Sequence, residues 1–121
     1  MKLSLEQNDA AGVAHVAAHE HITVKDFATP GSNPLESLLG PDWASRRVLL
    51  GLAKLDFIDS SAIGWLIDCQ RKFKEKGGRM TLHSPKGRVL DMIEMLKMRQ
   101  ILEIWDAEAD AEKALLAAKK P

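Results

Sequence analysis

The apolar and polar positions of this chain change period several times, and each change marks an element. Val48-Leu49-Leu50-Gly51-Leu52 is an unbroken apolar run, as expected for a strand buried on both faces of a sheet. The segment after Ser61 repeats at helical spacing. Ile63, Leu66, Ile67 and Phe73 form an apolar stripe, with Gln70 and Lys74 on the same side. Gly77-Gly78 stops that helix. Met80 to Leu82 reads as a short strand. Ser84-Pro85 opens a further helix, with Val89, Met92, Ile93 and Leu96 on its inner side. Ile101 to Trp105 reads as a strand, and Asp106 caps a last helix with Ala111, Ala114, Leu115 and Ala118 on one face.

Upstream the pattern is weaker. Gly12 to Val24 reads as one or two strands. Ala28 to Gly40 carries Pro30, Gly31, Asn33 and Pro34, which mark a loop. Within it, Pro34 to Leu39 suits a short helix, with Asn33 as cap and Pro34 at the first helical position. Gly40-Pro41 ends it. Strands alternating with helices predict an α/β layer fold. At 121 residues the chain has the size of one domain, spanning residues 1–121.

Composition narrows the function more than the fold. The chain is 45% hydrophobic and 28% charged, with a formal net charge of zero. Nucleic-acid proteins usually carry a basic excess or face, so this balance argues against that class. The single cysteine, Cys69, excludes an internal disulfide and fits a reducing compartment. No apolar stretch reaches the length of a membrane span. Met1 to Gln7 lacks the apolar core of a signal peptide. These readings predict a cytoplasmic protein with no membrane insertion.

The strongest chemical signal is Leu55-Asp56-Phe57-Ile58-Asp59-Ser60-Ser61-Ala62-Ile63-Gly64. It sets two adjacent hydroxyls where a buried strand hands over to a helix. The first helical turn offers free N–H groups and the positive end of the helix dipole. A phosphoryl group is favoured there, which makes this corner a candidate phosphorylation switch. Asp and Ser are also preferred helix caps, so the corner has a purely structural reading as well.

Beyond that corner the chain continues with Lys74 to Pro85 (KEKGGRMTLHSP) and Val89 to Trp105 (VLDMIEMLKMRQILEIW). In order and spacing, from about Arg47 onward, these segments resemble a STAS domain, and most closely the bacterial anti-sigma-factor antagonists. The resemblance implies a mixed sheet of about four to five strands packed against about four helices. It implies that Ser60, the first hydroxyl after the Asp, is phosphorylated by a partner serine kinase and restored by a serine phosphatase. In such proteins the unmodified form holds a serine-protein kinase that is itself the anti-sigma factor. Holding it releases a sigma factor and changes transcription. No cofactor is implied for this chain. Asp59, Ser61 and Gly64 would support the switch: Asp59 orients the Ser60 hydroxyl or helps position a metal–nucleotide complex in the kinase, a role compatible with capping the helix, Ser61 starts the helix, and Gly64 keeps the second glycine of the motif.

Two departures accompany the resemblance. Ala62 stands where the family usually has Gly, which predicts a hindered approach of the kinase to Ser60. Ala18-His19-Glu20-His21-Ile22 stands where a Gly-x-Leu/Ile-Asp pattern is common.

On a helical wheel Trp65 lies about 200° from Ile63 at ~100° per residue. Ala62, Trp65, Cys69 and Lys72 are thus predicted on an outer, partner-binding side, with Trp65 as an interface anchor or else covered by the N-terminal segment. Met95 and Met98 fall outside the inner stripe of the next helix and are further partner-binding candidates. His15, His19 and His21 would share a face of one strand. His19 and His21 could chelate zinc if Glu20 or His83 supplied a third ligand; the alternative is a solvated histidine face. Ser84-Pro85-Lys86-Gly87-Arg88 has the wrong spacing for a phosphate loop, and Cys69 lacks a basic activator. No catalytic set is evident, so the expected class is a regulatory binding protein rather than an enzyme. The alternative is a constitutive scaffold subunit of a larger signalling or lipid-transport assembly.

Overall fold

The computed structural model describes residues 1–8, 12–27 and 33–117. Pro30, Gly31 and Ala118, read above as loop and helix positions, lie outside them. Five strands form one sheet in the order β1-β2-β3-β4-β5. They are β1 (Lys2–Asn8), β2 (Val13–Ile22), β3 (Arg47–Ile58), β4 (Arg79–His83) and β5 (Ile104–Trp105). β1 runs antiparallel to β2, and the β2–β3, β3–β4 and β4–β5 pairs are parallel. Each parallel step needs a crossover, and helices supply them. These are α1 (Pro34–Leu39), α2 (Ser60–Lys76) and α3 (Gly87–Met95), with α4 (Glu108–Ala117) following β5. The mixed sheet with four helices is the expected fold class.

Alternation along the strands divides the core in two. Ala14, Val16 and Ala18 of β2 and Val48, Leu50 and Leu52 of β3 join Leu35 of α1, the apolar residues of α2, and Val89 and Ile93 of α3. Val13 and Leu49 point the other way and pack against Ala111 and Leu115 of α4. The run Val48–Leu52 is therefore covered on both faces, as its unbroken hydrophobicity predicts.

Several boundaries differ from expectation. β1 has no counterpart in the sequence reading, because only Leu3 and Leu5 are apolar and the strand is a largely exposed sheet edge. The helix expected at Ser84-Pro85 starts at Gly87, since Ser84 holds φ 61° and Lys86 is extended. Leu96, expected inside, is exposed beyond the end of α3. The expected strand Ile101–Trp105 shortens to its last two residues because a 3-10 turn, Met98–Gln100, precedes it.

The Gly77-Gly78 stop has two distinct causes. Gly77 is left-handed, φ 83°, and its N–H bonds to the Phe73 carbonyl. Gly78 passes so close to the backbone of Ala44, Ser45 and Arg46 that a Cβ would collide with two carbonyl oxygens. Backbone atoms cannot give way as a flexible side chain can. Gly78→Ala is expected to lower the stability by about 3 kcal/mol, the upper range for forced overpacking, read from the midpoint of urea unfolding. A change below about 0.5 kcal/mol, the level of an ordinary surface substitution, would refute the close approach.

Candidate functional site

β3 delivers the chain to its corner through two irregularities. Ala17 pairs with Gly51 but His19 with Lys54; Glu20 pairs with Leu55 but His21 with Phe57. Each is a β-bulge that adds one residue to β3 relative to β2. Ile22 therefore ends opposite Ile58, and the Asp59 N–H donates to the Ile22 carbonyl at 3.3 Å.

Asp59 is extended (φ −112°, ψ −176°) and caps α2. Its Oδ1 accepts from the Ser61 N–H at 2.9 Å and the Ala62 N–H at 3.2 Å. Two of the four orphan donors of the helix start are satisfied this way. Its Oδ2 accepts from the Val24 N–H at 2.9 Å. That bond fastens the 3-10 turn Val24–Phe27 to the corner. Both carboxylate oxygens are thus occupied, one by the helix and one by the turn.

Ser60 is the first residue of α2 and is exposed. Ser61 is half-buried behind it. Ala62 is fully buried, so its methyl enters the core instead of standing between Ser60 and solvent. A hindrance from replacing glycine here would therefore not come from a methyl group on the surface. Gly64 is exposed, and a Cβ built on it would meet no atom within 4 Å.

The partner side expected on α2 is corrected by burial. Trp65 retains 8% exposure and Cys69 none. The helix is buried on two sides. The sheet lies under one, while the turn Val24–Phe27 and the segment before β3 lie over the other. Trp65 packs on Phe27 with ring centroids 6.1 Å apart, the covered alternative in the sequence reading. Cys69 Sγ accepts from Asn33 Nδ2 at 3.3 Å. Burial pushes its thiol up to about 12, so it stays protonated and unreactive at neutral pH. Lys72 is half-buried and pairs with Asp68 at 3.3 Å.

The outward stripe of α2 is instead Ser60, Gly64, Ile67, Arg71 and Lys74. Ile67, expected in the core, is 36% exposed. Hydrophobicity alone could not rank it below Trp65; the small residues Ala62 and Cys69 mark the side where neighbouring chain packs closely. Met98 is buried in its 3-10 turn and is also corrected, whereas Met95 is 70% exposed.

Two exposed apolar side chains that the sequence does not single out lie along α2, one at the corner and one further up the helix. Val24 is 60% exposed and joined to the corner by the Asp59 bond. Gln70 Nε2 donates to the Ile101 carbonyl at 2.6 Å, bringing Ile101, 48% exposed, beside the third turn of α2. The signal available for them was an unpaired apolar residue next to the motif. Phe57, just before the corner, lies under the Arg88 guanidinium at 5.3 Å.

The histidines separate. His19 Nε2 shares a 2.8 Å hydrogen bond with Ser4 Oγ. His21 is exposed at the rim of a groove with Asp56, Lys86 and Arg88. His15 faces Glu108 and Glu112 of α4 at 3.6 and 3.5 Å. Burial under α4 lowers the basicity of His83, whose ring lies against Gly51. Among the described residues no group of three His, Cys, Asp or Glu could hold a metal.

The fold and corner define a class: a single-sheet α/β domain whose distinctive chemistry is one exposed serine at a carboxylate-capped helix start. The chain belongs to the STAS domain family, whose model matches residues 8–111. Its structure is similar to a putative anti-sigma factor antagonist from Thermotoga maritima, with TM-score 0.65, 16% identity, and coverage of 90% of this chain and 91% of that one. It is also similar to the anti-sigma factor antagonist SpoIIAA in its unphosphorylated form, with TM-score 0.61, 15% identity, and coverage of 97% and 100%. A murine anion transporter of solute carrier family 26 matches at TM-score 0.61 and 15% identity, over 91% of this chain but 18% of the transporter. No curated protein sequence matches the chain. Among the described residues no helix is long and apolar enough to cross a membrane.

Proposed function

We propose that this protein is a phosphorylation-switched binding module, an anti-sigma-factor antagonist acting in the cytoplasm. Unmodified, it holds a serine-protein kinase that serves as anti-sigma factor; phosphorylation of Ser60 releases that kinase, and a serine phosphatase resets the module. The observation that carries this reading is the placement of Ser60: exposed, directly after the capping Asp59 that holds exposed Val24, and on the same face of α2 as exposed Ile67 two turns on. An exposed hydroxyl on a helix face that also carries exposed apolar side chains is a surface that a partner can desolvate. A phosphoryl group adds about −1.5 to −2 charge at that point. Closing the interface would strand this charge beside Asp59 without water, which opposes binding.

Gly64 supports the same reading. Glycine inside a helix costs about 1 kcal/mol relative to alanine. Among the described residues nothing crowds its Cβ position, and a bare backbone on this exposed face suits close approach by a partner. Met95 extends the candidate surface at the end of α3. The chain itself performs no chemistry in this scheme and needs no cofactor; ATP and magnesium belong to the kinase.

The test is peptide mass mapping of the protein isolated from its own host. A phosphoryl group on Ser60 is the expected result. An unmodified Ser60 through growth and stress would replace this reading with a constitutive scaffold.

A further inference from the structure

We infer that Asp59 couples the modification state of Ser60 to the turn Val24–Phe27, so that a negative charge at Ser60 loosens the cover over Trp65. The inference rests on the proposed role of Ser60 and adds what the modification does inside this chain.

The coupling follows from how one side chain is shared. Asp59 Oδ1 holds the first turn of α2 through the Ser61 and Ala62 N–H groups, and Oδ2 holds the Val24 N–H. A phosphoryl group on Ser60 sits one residue away. It repels the carboxylate, and it competes for the same helix-start N–H groups, which suit a phosphoryl oxygen. A carboxylate displaced from the helix start cannot keep its other oxygen on Val24.

The turn is held elsewhere mainly at Asp26. Its Oδ2 accepts from the Thr23 N–H at 2.8 Å, and its Oδ1 pairs with the Met1 amino group. Losing the Asp59 bond therefore frees Val24 without freeing Thr23. Phe27 rides on the same turn and packs on Trp65. The Trp65 indole N–H is buried and has no hydrogen-bond partner among the described residues. Loosening the turn opens this ring and its unused donor to solvent. The modified protein would then differ from the unmodified one by a changed surface as well as an added charge, which gives a phosphatase a feature to read.

Amide hydrogen exchange on the full chain separates the parts. Asp59→Asn keeps an Oδ1 acceptor, and Asn caps helices as well as Asp. It presents an NH₂ to Val24, where a carboxylate oxygen had been. Exchange at Val24 is expected to rise about tenfold, with Thr23, Ser61 and Ala62 within twofold of wild type. Ser60→Asp is expected to speed Val24 exchange in the same direction and to raise acrylamide quenching of tryptophan fluorescence. Unchanged Val24 exchange in either variant would overturn the coupling. If Ser60→Asp abolishes partner binding while Val24 stays protected, the coupling fails and the proposed switch stands. If Val24 responds in both variants but Ser60→Asp binds the partner normally, the switch fails and the coupling stands.

Discussion

Ser60→Asp is expected to weaken binding of the partner kinase at least ~100-fold, equivalent to about 2.7 kcal/mol at 1.36 kcal/mol per decade, while leaving the fold intact. Ser60→Ala should bind at full strength whatever the phosphorylation state of the cell. The fold is spared because Ser60 is exposed and first in α2. A carboxylate in a first helical turn interacts favourably with the helix dipole, by roughly 0.3–1 kcal/mol. Most of the loss belongs to the interface, where the added charge loses its water beside Asp59 and the apolar Val24, and the loosened turn Val24–Phe27 adds to it. Titration of both variants with the kinase by calorimetry, and unfolding of both by urea, checks the two halves. If both variants bound like the wild type, Ser60 would not be the switch. A large stability loss in Ser60→Asp would mean that the corner, not the interface, rejects the charge.

Trp65→Ala is expected to destabilise the protein by about 3–5 kcal/mol, the range for truncating a large buried aromatic. Domains of this kind have only about 5–15 kcal/mol in total. The side chain is 8% exposed and lies in the main core, capped by Phe27. An exposed interface anchor would behave oppositely, losing partner affinity with stability unchanged. Trp65→Phe, which keeps most of the packing, should lose much less. Urea unfolding of the two variants decides between the readings, and a stability loss under about 0.5 kcal/mol in Trp65→Ala would restore the anchor.

The contrast between Ser60 and Trp65 shows what the sequence could carry. The corner was legible because its chemistry is local: Asp59, Ser60 and the helix start are neighbours in the chain, and the capping bonds span two and three residues. The α/β layering was legible, since apolar strands alternating with helices admit few arrangements, but the order of the strands was not. The outward side of α2 was not. A wheel assumes a single buried side, whereas this helix is also covered by the turn Val24–Phe27, whose packing depends on a bond between residues 35 apart. Nothing in the spacing of Ala62, Trp65 and Cys69 reports that cover. β1 was missed for a related reason: an exposed edge strand needs little hydrophobicity, so its sequence reads like a polar terminus. Met95 and Met98 look alike in sequence and part only because a left-handed residue, Lys97 at φ 53°, turns the chain between them.

The two bulges in β3 act as a ruler. At the start of the pair β2 residues match β3 residues 34 positions later, as Val13 does Arg47; at the end the offset is 36, as Ile22 to Ile58. Those two surplus residues decide which part of the chain lies beside Asp59. Paired straight, the same residues would put Ile58 opposite residue 24 instead of Ile22 and carry Asp59 past Val24. Leu52, Leu55 and Ile58 all reach the same core although they are three residues apart, because each bulge absorbs the odd residue between them.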